Sequence, residues 1–398
     1  MDPIVIVGAG LGGARVAESL RRQAYDGEIV LIGAERHHPY DRPPLSKSIL
    51  VGESHRADLN SSDFYTEQRI NLLLNTVVTA VDSENHRIEL SSAGGALAKT
   101  IDYSSLILAT GLRPRTLPFG GEMTDIHVLR TIDDALALRS AAKSAKNVVV
   151  IGAGFVGCEV AASLRTQGLS VTIVEPAASP LAAALGETVG NLVGRLLAVR
   201  GVEIRTGASV SGLEGERSVE GVLLADGDVV PADLVVVGIG SDPVTEYLEG
   251  SKVLLAERND GGGILCDESG RSSEPDVYAL GDVANWLGHD GTRRRSEHWD
   301  NVNDQANRVA AAVLGFASDS VPPSVPYFWS DQFDVKIQAL GRPSAKDHVH
   351  VVSDDGSKFV AYYSKGGVLT GVVGAGSPRA VNKMRSRLSK KTAIAELL

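Results

Sequence analysis

Cysteine is scarce in this sequence. The 398 residues include only two, Cys158 and Cys266, which lie 108 positions apart (266 − 158). Such widely spaced cysteines build neither a disulfide framework nor a cysteine-based zinc site. They also exclude a closely spaced pair of redox thiols, and we expect both to be inert. Because no basic, apolar leader precedes the first strand, the sequence predicts a cytoplasmic protein.

Long apolar runs and an excess of positive charge are lacking as well. No apolar stretch approaches the roughly 18 residues of a membrane-spanning helix, so we expect no membrane span. The net charge of −10 argues against nucleic acid as the main partner. Two basic clusters interrupt this acidic background: Arg293, Arg294 and Arg295, and a C-terminal run with Lys383, Arg385, Arg387, Lys390 and Lys391.

Glycine, by contrast, is abundant at 43 residues, and it marks an internal repeat. Residues 4–13 read IVIVGAGLGG and residues 148–157 read VVVIGAGFVG, an offset of 144 positions (152 − 8). Each copy is an apolar run, then Gly-x-Gly-x-x-Gly, then a helical pattern, and each is followed by another apolar strand. The repeat predicts an α/β chain with two Rossmann-like dinucleotide-binding domains.

Each glycine of the motif has a physical reason. The first makes the tight turn, the second lets backbone approach a pyrophosphate, and the third allows close packing of helix on strand. The helix N-terminus then offers free N–H groups and a positive dipole end to phosphate. In this sequence these glycines are Gly8, Gly10 and Gly13 in the first copy, and Gly152, Gly154 and Gly157 in the second.

An acidic residue for the ribose hydroxyls is expected about 20 residues further on. Glu35 lies 22 positions after Gly13 (35 − 13), at the predicted end of the second strand, and Glu175 lies 18 after Gly157 (175 − 157). A carboxylate repels a 2′-phosphate, and no basic residue stands among the four residues that follow Glu175. We therefore predict NADH rather than NADPH for the second domain.

The order of these patterns predicts an interrupted layout. The first domain would run over 1–112 and resume at 241–315, with the second inserted at 113–240. A proline-rich linker at 316–327 leads into short apolar pieces, which predict a small α+β C-terminal domain at 316–398.

Longer motifs carry a family resemblance over nearly the whole chain. They are HPYDRPPLSK at 38–47, ILATGLRPR at 107–115, FVGCEVAASL at 155–164, SSEPDVYALGDVAN at 272–285, SEHW at 296–299 and VPYFWSDQFDVKIQ at 325–338. With them the sequence resembles the FAD-dependent ferredoxin and rubredoxin reductases of the glutathione-reductase structural class. The resemblance implies a flavoprotein that accepts hydride from NADH.

The resemblance also implies which residues hold FAD. The glycine loop and Glu35 would bind its ADP half, Val78 its adenine, Arg42 and Lys47 its phosphates and ring, and Asp282 its ribityl hydroxyls. The whole set of implied FAD contacts is Gly8, Gly10, Leu11, Gly12, Gly13, Glu35, Arg42, Lys47, Val78, Thr110, Gly111, Arg130, Gly281, Asp282 and Trp299.

A second set follows for NADH and for the reaction. Gly152, Gly154, Gly157, Glu175 and Gly238 would bind NADH, and Phe155 and Glu159 would lie where the nicotinamide docks. Lys47 would stabilise negative charge on the reduced flavin. Trp299 and Trp329 would border the isoalloxazine.

Structural explanations remain open for several of these residues. Phe155 and Trp329 are also compatible with ordinary packing. Lys47 could be a solvated loop cation, Asp282 a helix N-cap, and Glu159 a carboxylate that favours the helix dipole.

The resemblance implies an iron–sulfur ferredoxin as electron acceptor, serving a monooxygenase or dioxygenase. Arg293, Arg294 and Arg295 are then docking candidates for an acidic ferredoxin, or a solvated cluster. Two other functions stay open: an NADH:quinone or diaphorase-type enzyme, and a redox-sensing protein like apoptosis-inducing factor.

Overall fold

The computed structural model describes residues 2–92, 95, 99–288, 291–297, 299–316 and 325–398. Contacts divide the chain into two compact units. The first comprises Met1–Asp41, Ala57–Arg113 and Asp242–Pro323, and the second comprises Arg42–Arg56, Pro114–Ser241 and Ser324–Leu398. No helix in the described ranges is long and apolar enough to cross a membrane.

The described helices are α1 (Leu11–Arg22), α2 (Ser48–Val51), α3 (Ser62–Glu67), α4 (Ile132–Ala142), α5 (Phe155–Thr166), α6 (Ala182–Ala198), α7 (Trp299–Val313), α8 (Pro378–Lys383) and α9 (Arg385–Ser389). The described strands are β1 (Ile4–Val7), β2 (Ile29–Ile32), β3 (Ile70–Leu73), β4 (Thr76–Asp82), β5 (Arg87–Ser92), β6 (Lys99–Asp102), β7 (Ser105–Leu108), β8 (Leu112–Pro114), β9 (Ile126–His127), β10 (Asn147–Ile151), β11 (Ser170–Glu175), β12 (Val202–Thr206), β13 (Val210–Glu214), β14 (Gly221–Leu224), β15 (Val229–Pro231), β16 (Leu234–Val237), β17 (Ser241–Pro243), β18 (Ile264–Cys266), β19 (Val277–Ala279), β20 (Ala284–Leu287), β21 (Arg293–Arg295), β22 (Tyr327–Gln332), β23 (Val335–Gly341), β24 (His348–Asp354), β25 (Phe359–Lys365) and β26 (Val368–Ala375).

The first unit is built on a parallel sheet of order β19-β7-β1-β2-β3. Its central strand, IVIV, is buried on both faces, which is why it is apolar without alternation. One face packs against α1 and α7 through Ile4 and Ile6. The other face, with Val5 and Val7, packs against residues of the β4-β5-β6 sheet.

The second unit repeats this construction. Its parallel sheet has the order β12-β11-β10-β16-β9. Val148 and Val150 of β10 pack with helices α5 and α6, whereas Val149 and Ile151 pack on the β13-β14-β15 side. Both units therefore place the C-terminal end of a central strand directly before a glycine loop.

A separate antiparallel sheet of order β22-β23-β26-β25-β24 also belongs to the second unit. Its residues Ile337 and Phe359 join the same core as Val189 of α6. Leu340 and Val372 join a smaller core with Val381 of α8. The predicted fold class is confirmed: two Rossmann-like units and a C-terminal part with an antiparallel sheet and short helices.

The contact units divide the chain differently from the predicted domains. The breaks at 113/114 and 241/242 lie within two residues of the predicted ones, but residues 42–56 and the C-terminal sheet group with the second unit. Most of the predicted linker, 317–324, lies outside the described residues. The three-domain division remains a prediction.

Candidate functional site

The first glycine loop joins β1 to α1. Gly8 has φ +111°, and its N–H donates to the Ile32 carbonyl at 2.8 Å. A Cβ on Gly8 would overlap the carbonyl oxygen of Ala109, and one on Gly13 would overlap the carbonyl oxygen of Gly8. The chain itself requires both of these glycines, because the helix and the neighbouring strand ends approach too closely for any side chain.

The second loop, between β10 and α5, has the same construction. Gly152 has φ +101°, and its N–H donates to the Val174 carbonyl at 2.8 Å. A Cβ on Gly152 would overlap the carbonyl oxygen of Gly238, and one on Gly157 would overlap that of Gly152. Gly238 thus takes the place that Ala109 has in the first unit.

The middle glycine of the second loop is different, because no group in the described ranges stands where its side chain would be. Gly154 has φ −71° and ψ −179°, which any residue adopts. An added Cβ would meet nothing within 4 Å among the described atoms, and the residue is exposed. A glycine there leaves open space over the N-terminus of α5.

The two helices that follow the loops begin without a side-chain cap. Gly10 and Gly154 are the N-cap residues, and neither α1 nor α5 has a side-chain hydrogen bond at that end. Uncapped N–H groups at a glycine-lined turn attract phosphate. The residues of both loops therefore fit a dinucleotide, such as FAD or NADH.

The two acidic residues have different partners. Tyr40 Oη donates to Glu35 Oε2 at 2.6 Å, and Glu35 lies three residues beyond the end of β2 rather than at it. Glu175 is the last residue of β11. Its Oε2 accepts from the Ala153 N–H at 2.6 Å, and its Oε1 accepts from the Ala177 N–H at 2.9 Å. The second loop thus fixes its own carboxylate.

Other predicted FAD residues of the first unit follow strand ends, except Val78, which lies within β4. Thr110 follows β7, and its hydroxyl donates to the Val244 carbonyl at 2.8 Å, while Gly111 has φ +70°. Gly281, Asp282 and Val283 form a short 3₁₀ turn in which Leu280 occupies the N-cap position, so the N-cap explanation for Asp282 is wrong. Val78 is buried at 6% exposure in β4.

Lys47 and Glu159 form an ion pair within the second unit. Lys47 Nζ lies 2.6 Å from Glu159 Oε2, and their side chains are 21% and 8% exposed. The same carboxylate accepts from Ser46 Oγ at 2.6 Å and from Ser330 Oγ at 2.7 Å. Lys47 also donates to the Pro43 carbonyl at 3.1 Å and to Ser46 Oγ at 3.3 Å. The cation is therefore held by protein groups, while 21% of its side chain stays exposed.

Aromatic residues make ring contacts at the start of α5 and along β22. The Phe155 ring, at the start of α5, meets the Phe328 ring edge-on at 4.9 Å. Trp329 stacks on Tyr327 at 5.9 Å, and Lys336 Nζ lies 5.6 Å from the Trp329 ring. Packing thus accounts for part of the Phe155 and Trp329 surfaces, and their roles toward a cofactor remain predictions. The side chain of Trp299 lies outside the described part of the structure.

Two arginines predicted to contact FAD lie next to each other. Arg42 Nε donates to the carbonyl of Arg130 at 3.2 Å, and the Arg130 N–H donates to Asp134 Oδ2 at 3.1 Å. Asp134 also completes a capping box with Thr131 at the start of α4. The backbone at this point is therefore well fixed.

Both cysteines are buried, and Cys158 lies directly before Glu159 in α5. Cys158 is 0% exposed and Cys266 is 1% exposed. Burial raises the pKa of the Cys158 thiol far above its usual range and that of Cys266 to about 12. Neither thiol has the thiolate character that redox or nucleophilic chemistry needs, which supports the prediction that they are inert.

Some residues of this region were not assigned a role from the sequence. Ser46, Tyr40 and Ser330 each donate to a predicted site carboxylate. Ser46 lies in the motif RPPLSK, Tyr40 in HPYD and Ser330 in FWSD. The motifs contain these residues but do not indicate their hydrogen-bond partners.

Sequence models of known families cover most of the chain. Residues 2–306 match the family described as pyridine nucleotide-disulphide oxidoreductase, and residues 327–397 match a family described as reductase C-terminal.

Two relatives are similar to this chain over most of their length. The chain is 36% identical over 357 residues to the biphenyl dioxygenase system ferredoxin–NAD(+) reductase component of Paraburkholderia xenovorans (strain LB400), covering 89% of this chain and 84% of that protein. It is 37% identical over 385 residues to rhodocoxin reductase of Rhodococcus erythropolis, covering 94% and 87%. Among solved structures, a chain of the covalent putidaredoxin reductase–putidaredoxin complex matches with a TM-score of 0.90 and 33% identity, covering 98% of this chain and 93% of that one.

Proposed function

The chain belongs to the pyridine nucleotide-disulphide oxidoreductase family, and on that premise we propose that it is an FAD-dependent NADH:ferredoxin oxidoreductase. Relatives named as ferredoxin–NAD(+) reductase components and as rhodocoxin reductase support this reading over nearly the full chain. We place it in the cytoplasm. The roles of individual residues in binding FAD, NADH and ferredoxin are part of the proposal.

One observation carries the proposal: the chain has two dinucleotide loops and a lysine, Lys47, held by protein groups, and both of its cysteines are buried. The loops at Gly8 and Gly152 have the same backbone construction. Lys47 is fixed by Glu159 at 2.6 Å. With both cysteines buried, electrons would leave the flavin directly rather than through a disulfide.

The second loop would hold NADH. The uncapped start of α5 and the open space at Gly154 suit a pyrophosphate, and Glu175 suits ribose hydroxyls. Because both Glu175 oxygens already accept backbone N–H groups, the carboxylate is preorganised. Its negative charge favours NADH over a 2′-phosphorylated cofactor.

The first loop would hold FAD, with Glu35 on its adenosine ribose. FAD, when bound, supplies the chemistry that turns a two-electron hydride into single electrons. Lys47 would place a fixed positive charge beside the flavin, which favours its reduced, anionic form. Glu159 would keep that cation in place.

The test is NADH-driven reduction of cytochrome c by the purified protein, with and without added ferredoxins, repeated with NADPH. We expect strong stimulation by an iron–sulfur ferredoxin and a clear preference for NADH. Each NADH supplies two electrons, so two one-electron carriers should be reduced per NADH consumed.

The other two functions predict different results in the same experiment. Fast turnover with quinones, without any response to ferredoxins, would establish a diaphorase-type enzyme. Slow reoxidation of the NADH-reduced flavin, together with dimerisation on reduction, would establish a redox-sensing protein. Either result would overturn the reductase proposal.

The ferredoxin would dock at the basic strand β21. Arg293 and Arg294 are exposed there, and Arg293 also donates to the Cys266 carbonyl at 2.7 Å. Arg295 is less exposed: its side chain is 13% exposed, and it pairs with Glu297 at 2.7 Å. Arg293 and Arg294 are therefore the better candidates to meet an acidic carrier.

Charge reversal tests the docking surface. We expect Arg294→Glu to raise the KM for ferredoxin about tenfold, because a rim charge steers association. The rate of flavin reduction by NADH should not change. Lys365→Glu, an equal charge change at an exposed site of β25, is the control. Equal effects of the two variants would mean that only net charge matters.

A further inference from the structure

Ser330 is a polar residue in a fully buried position. It lies in β22 with 0% exposure, and its Oγ donates to Glu159 Oε1 at 2.7 Å. Gln332, itself 3% exposed, donates from Nε2 to Ser330 Oγ at 3.3 Å. Because Gln332 offers N–H groups to this hydroxyl, the one proton of Ser330 is left for Glu159.

The other oxygen of the same carboxylate holds Lys47. Glu159 Oε2 accepts from Ser46 Oγ at 2.6 Å and lies 2.6 Å from Lys47 Nζ. The two carboxylate oxygens belong to one rigid plane, so whatever fixes Oε1 also fixes the direction of Oε2. A hydroxyl from the C-terminal sheet is thereby linked to the Lys47 ammonium through one carboxylate.

The chemistry of the position favours a role beyond packing. A fully buried strand residue is ordinarily apolar, whereas serine fills little space and requires a partner. Glu159 is itself only 7% exposed, so an oxygen without a donor would be costly. Hydrogen bonds to ionised groups are also the stronger ones.

We propose that Ser330 is a positioning residue for Lys47, acting through the Glu159 carboxylate. The inference rests on the proposed function, because it assigns Lys47 to the flavin. Glu159 joins Ser46 and Ser330 in one hydrogen-bonded unit. These two serines lie 113 and 171 positions from Glu159 along the chain. Ser330 does not itself touch a reacting atom in this assignment.

The main variant is Ser330→Ala, with Ser364→Ala as the matched control. Ser364 is 6% exposed, lies in the same sheet, and is hydrogen-bonded to His350 Nε2 at 2.9 Å, away from Glu159. We expect Ser330→Ala to slow anaerobic flavin reduction by NADH about tenfold, the loss expected for one hydrogen bond to a charged group. The KM for NADH should not change, and the control should stay within about twofold of wild type.

A second readout needs neither cofactor nor turnover. Lys47 can be acylated with acetic anhydride in the purified apoprotein, and its labelling rate measured by mass spectrometry. An anhydride acylates only the deprotonated amine, with release of acetate and a proton, and a carboxylate partner favours the ammonium. We therefore expect Ser330→Ala, which loosens the Glu159 carboxylate, to raise the labelling rate severalfold. Ser330→Thr, which restores the hydroxyl, should return it toward wild type, and Ser364→Ala should leave it unchanged.

A double-mutant cycle isolates the route of the effect. In a Lys47→Met background, Ser330→Ala should no longer slow flavin reduction. An equal slowing in both backgrounds would overturn the inference, as would unchanged Lys47 labelling in Ser330→Ala. If Ser330→Ala does not fold, Ser330→Cys, whose thiol donates more weakly, must change both readouts in the same direction. A wild-type protein that NADH does not reduce would overturn the proposed function, and the labelling arm would still decide whether Ser330 positions Lys47.

Discussion

The two glycine loops share their backbone and differ in their side chains. In each, the first glycine abuts a neighbouring strand end and the third abuts the first. With the offset of 144 positions (152 − 8), Arg15 of α1 corresponds to Glu159 of α5. Arg15 pairs with Glu18 near the surface at 2.8 Å, whereas Glu159 is buried and accepts from Ser46, Lys47 and Ser330.

This contrast separates two kinds of requirement. The first and third glycines repeat where the backbone leaves no room, so their residue type follows from geometry alone, whereas the middle glycine, Gly154, repeats although the described atoms leave room for a side chain. The positions that differ are those where a side chain makes a particular contact. Likeness between the loops therefore indicates dinucleotide binding, and the differences indicate what each dinucleotide is used for.

The largest effect is expected at a glycine that the backbone requires. Gly152→Ala forces a Cβ into the carbonyl of Gly238 at φ +101°. Left-handed strain and overpacking together should cost about 3 kcal/mol of the free energy of unfolding. Urea unfolding of the purified protein measures this cost, and Gly8→Ala should behave alike in the first loop.

Gly154→Ala is the control for Gly152→Ala, because it places the same methyl group at a glycine that the backbone does not require. Its backbone angles suit alanine and its Cβ would meet nothing within 4 Å, so stability should stay within about 0.5 kcal/mol. The KM for NADH should nevertheless rise about tenfold, since the methyl group fills the space proposed for the pyrophosphate. A loss of stability with unchanged KM would contradict this division of roles.

The next effect compares Glu159 with its counterpart Arg15. Glu159→Ala leaves Ser46, Lys47 and Ser330 without their shared acceptor in a buried place, which should cost about 2 kcal/mol after allowance for the partial exposure of Lys47. Arg15→Ala removes an ion pair between partly exposed groups and should cost less than about 1 kcal/mol. The denaturant midpoints of the two variants show which one loses more stability. A larger loss in Arg15→Ala would mean that the contacts of Glu159 contribute little to the free energy of unfolding.

The sequence predicted the loops well and the network around Glu159 poorly, for physical reasons. Glycine spacing is local, so Gly8 and Gly152 could be placed from strand and helix patterns alone. Glu35 was placed at a strand end, but β2 ends at Ile32 and the chain continues before reaching it. The contact between Ser330 and Glu159 depends on how a sheet far away in sequence packs on α5. The hydrophobic periodicity of the sequence does not predict such a tertiary contact.

A smaller effect distinguishes the two acidic residues. Glu175→Gln keeps the shape of the side chain but removes the charge that opposes a 2′-phosphate. We expect the preference for NADH over NADPH to fall about tenfold, measured as the ratio of kcat/KM values. Tyr40→Phe, which removes the donor to Glu35, should leave this ratio unchanged and weaken FAD retention instead. A shift of the ratio in Tyr40→Phe would mean that the two loops are not specialised.

The smallest effect concerns Cys158, whose counterpart in α1 is Ala14. Cys158 is 0% exposed and Ala14 is 1% exposed. Since α1 has a buried alanine at this position, an alanine should also fit at the equivalent position of α5. Cys158→Ala should cost about 1 kcal/mol at pH 7 and leave electron transfer to ferredoxin within about twofold. Loss of electron transfer at unchanged flavin content would contradict the direct route from flavin to carrier.

The pH dependence of that cost has a definite sign. Burial raises the pKa of the Cys158 thiol, so its stabilising contribution is complete below the unfolded pKa of about 8.5 and is lost as pH rises above it. In the unfolded chain the thiol ionises, and in the folded chain it stays neutral. The stability difference between wild type and Cys158→Ala should therefore shrink between pH 7 and pH 9.5 in urea unfolding. A difference that grows over this range would mean that the folded protein stabilises a thiolate in α5, and the two helices would then differ in redox chemistry as well as in charge.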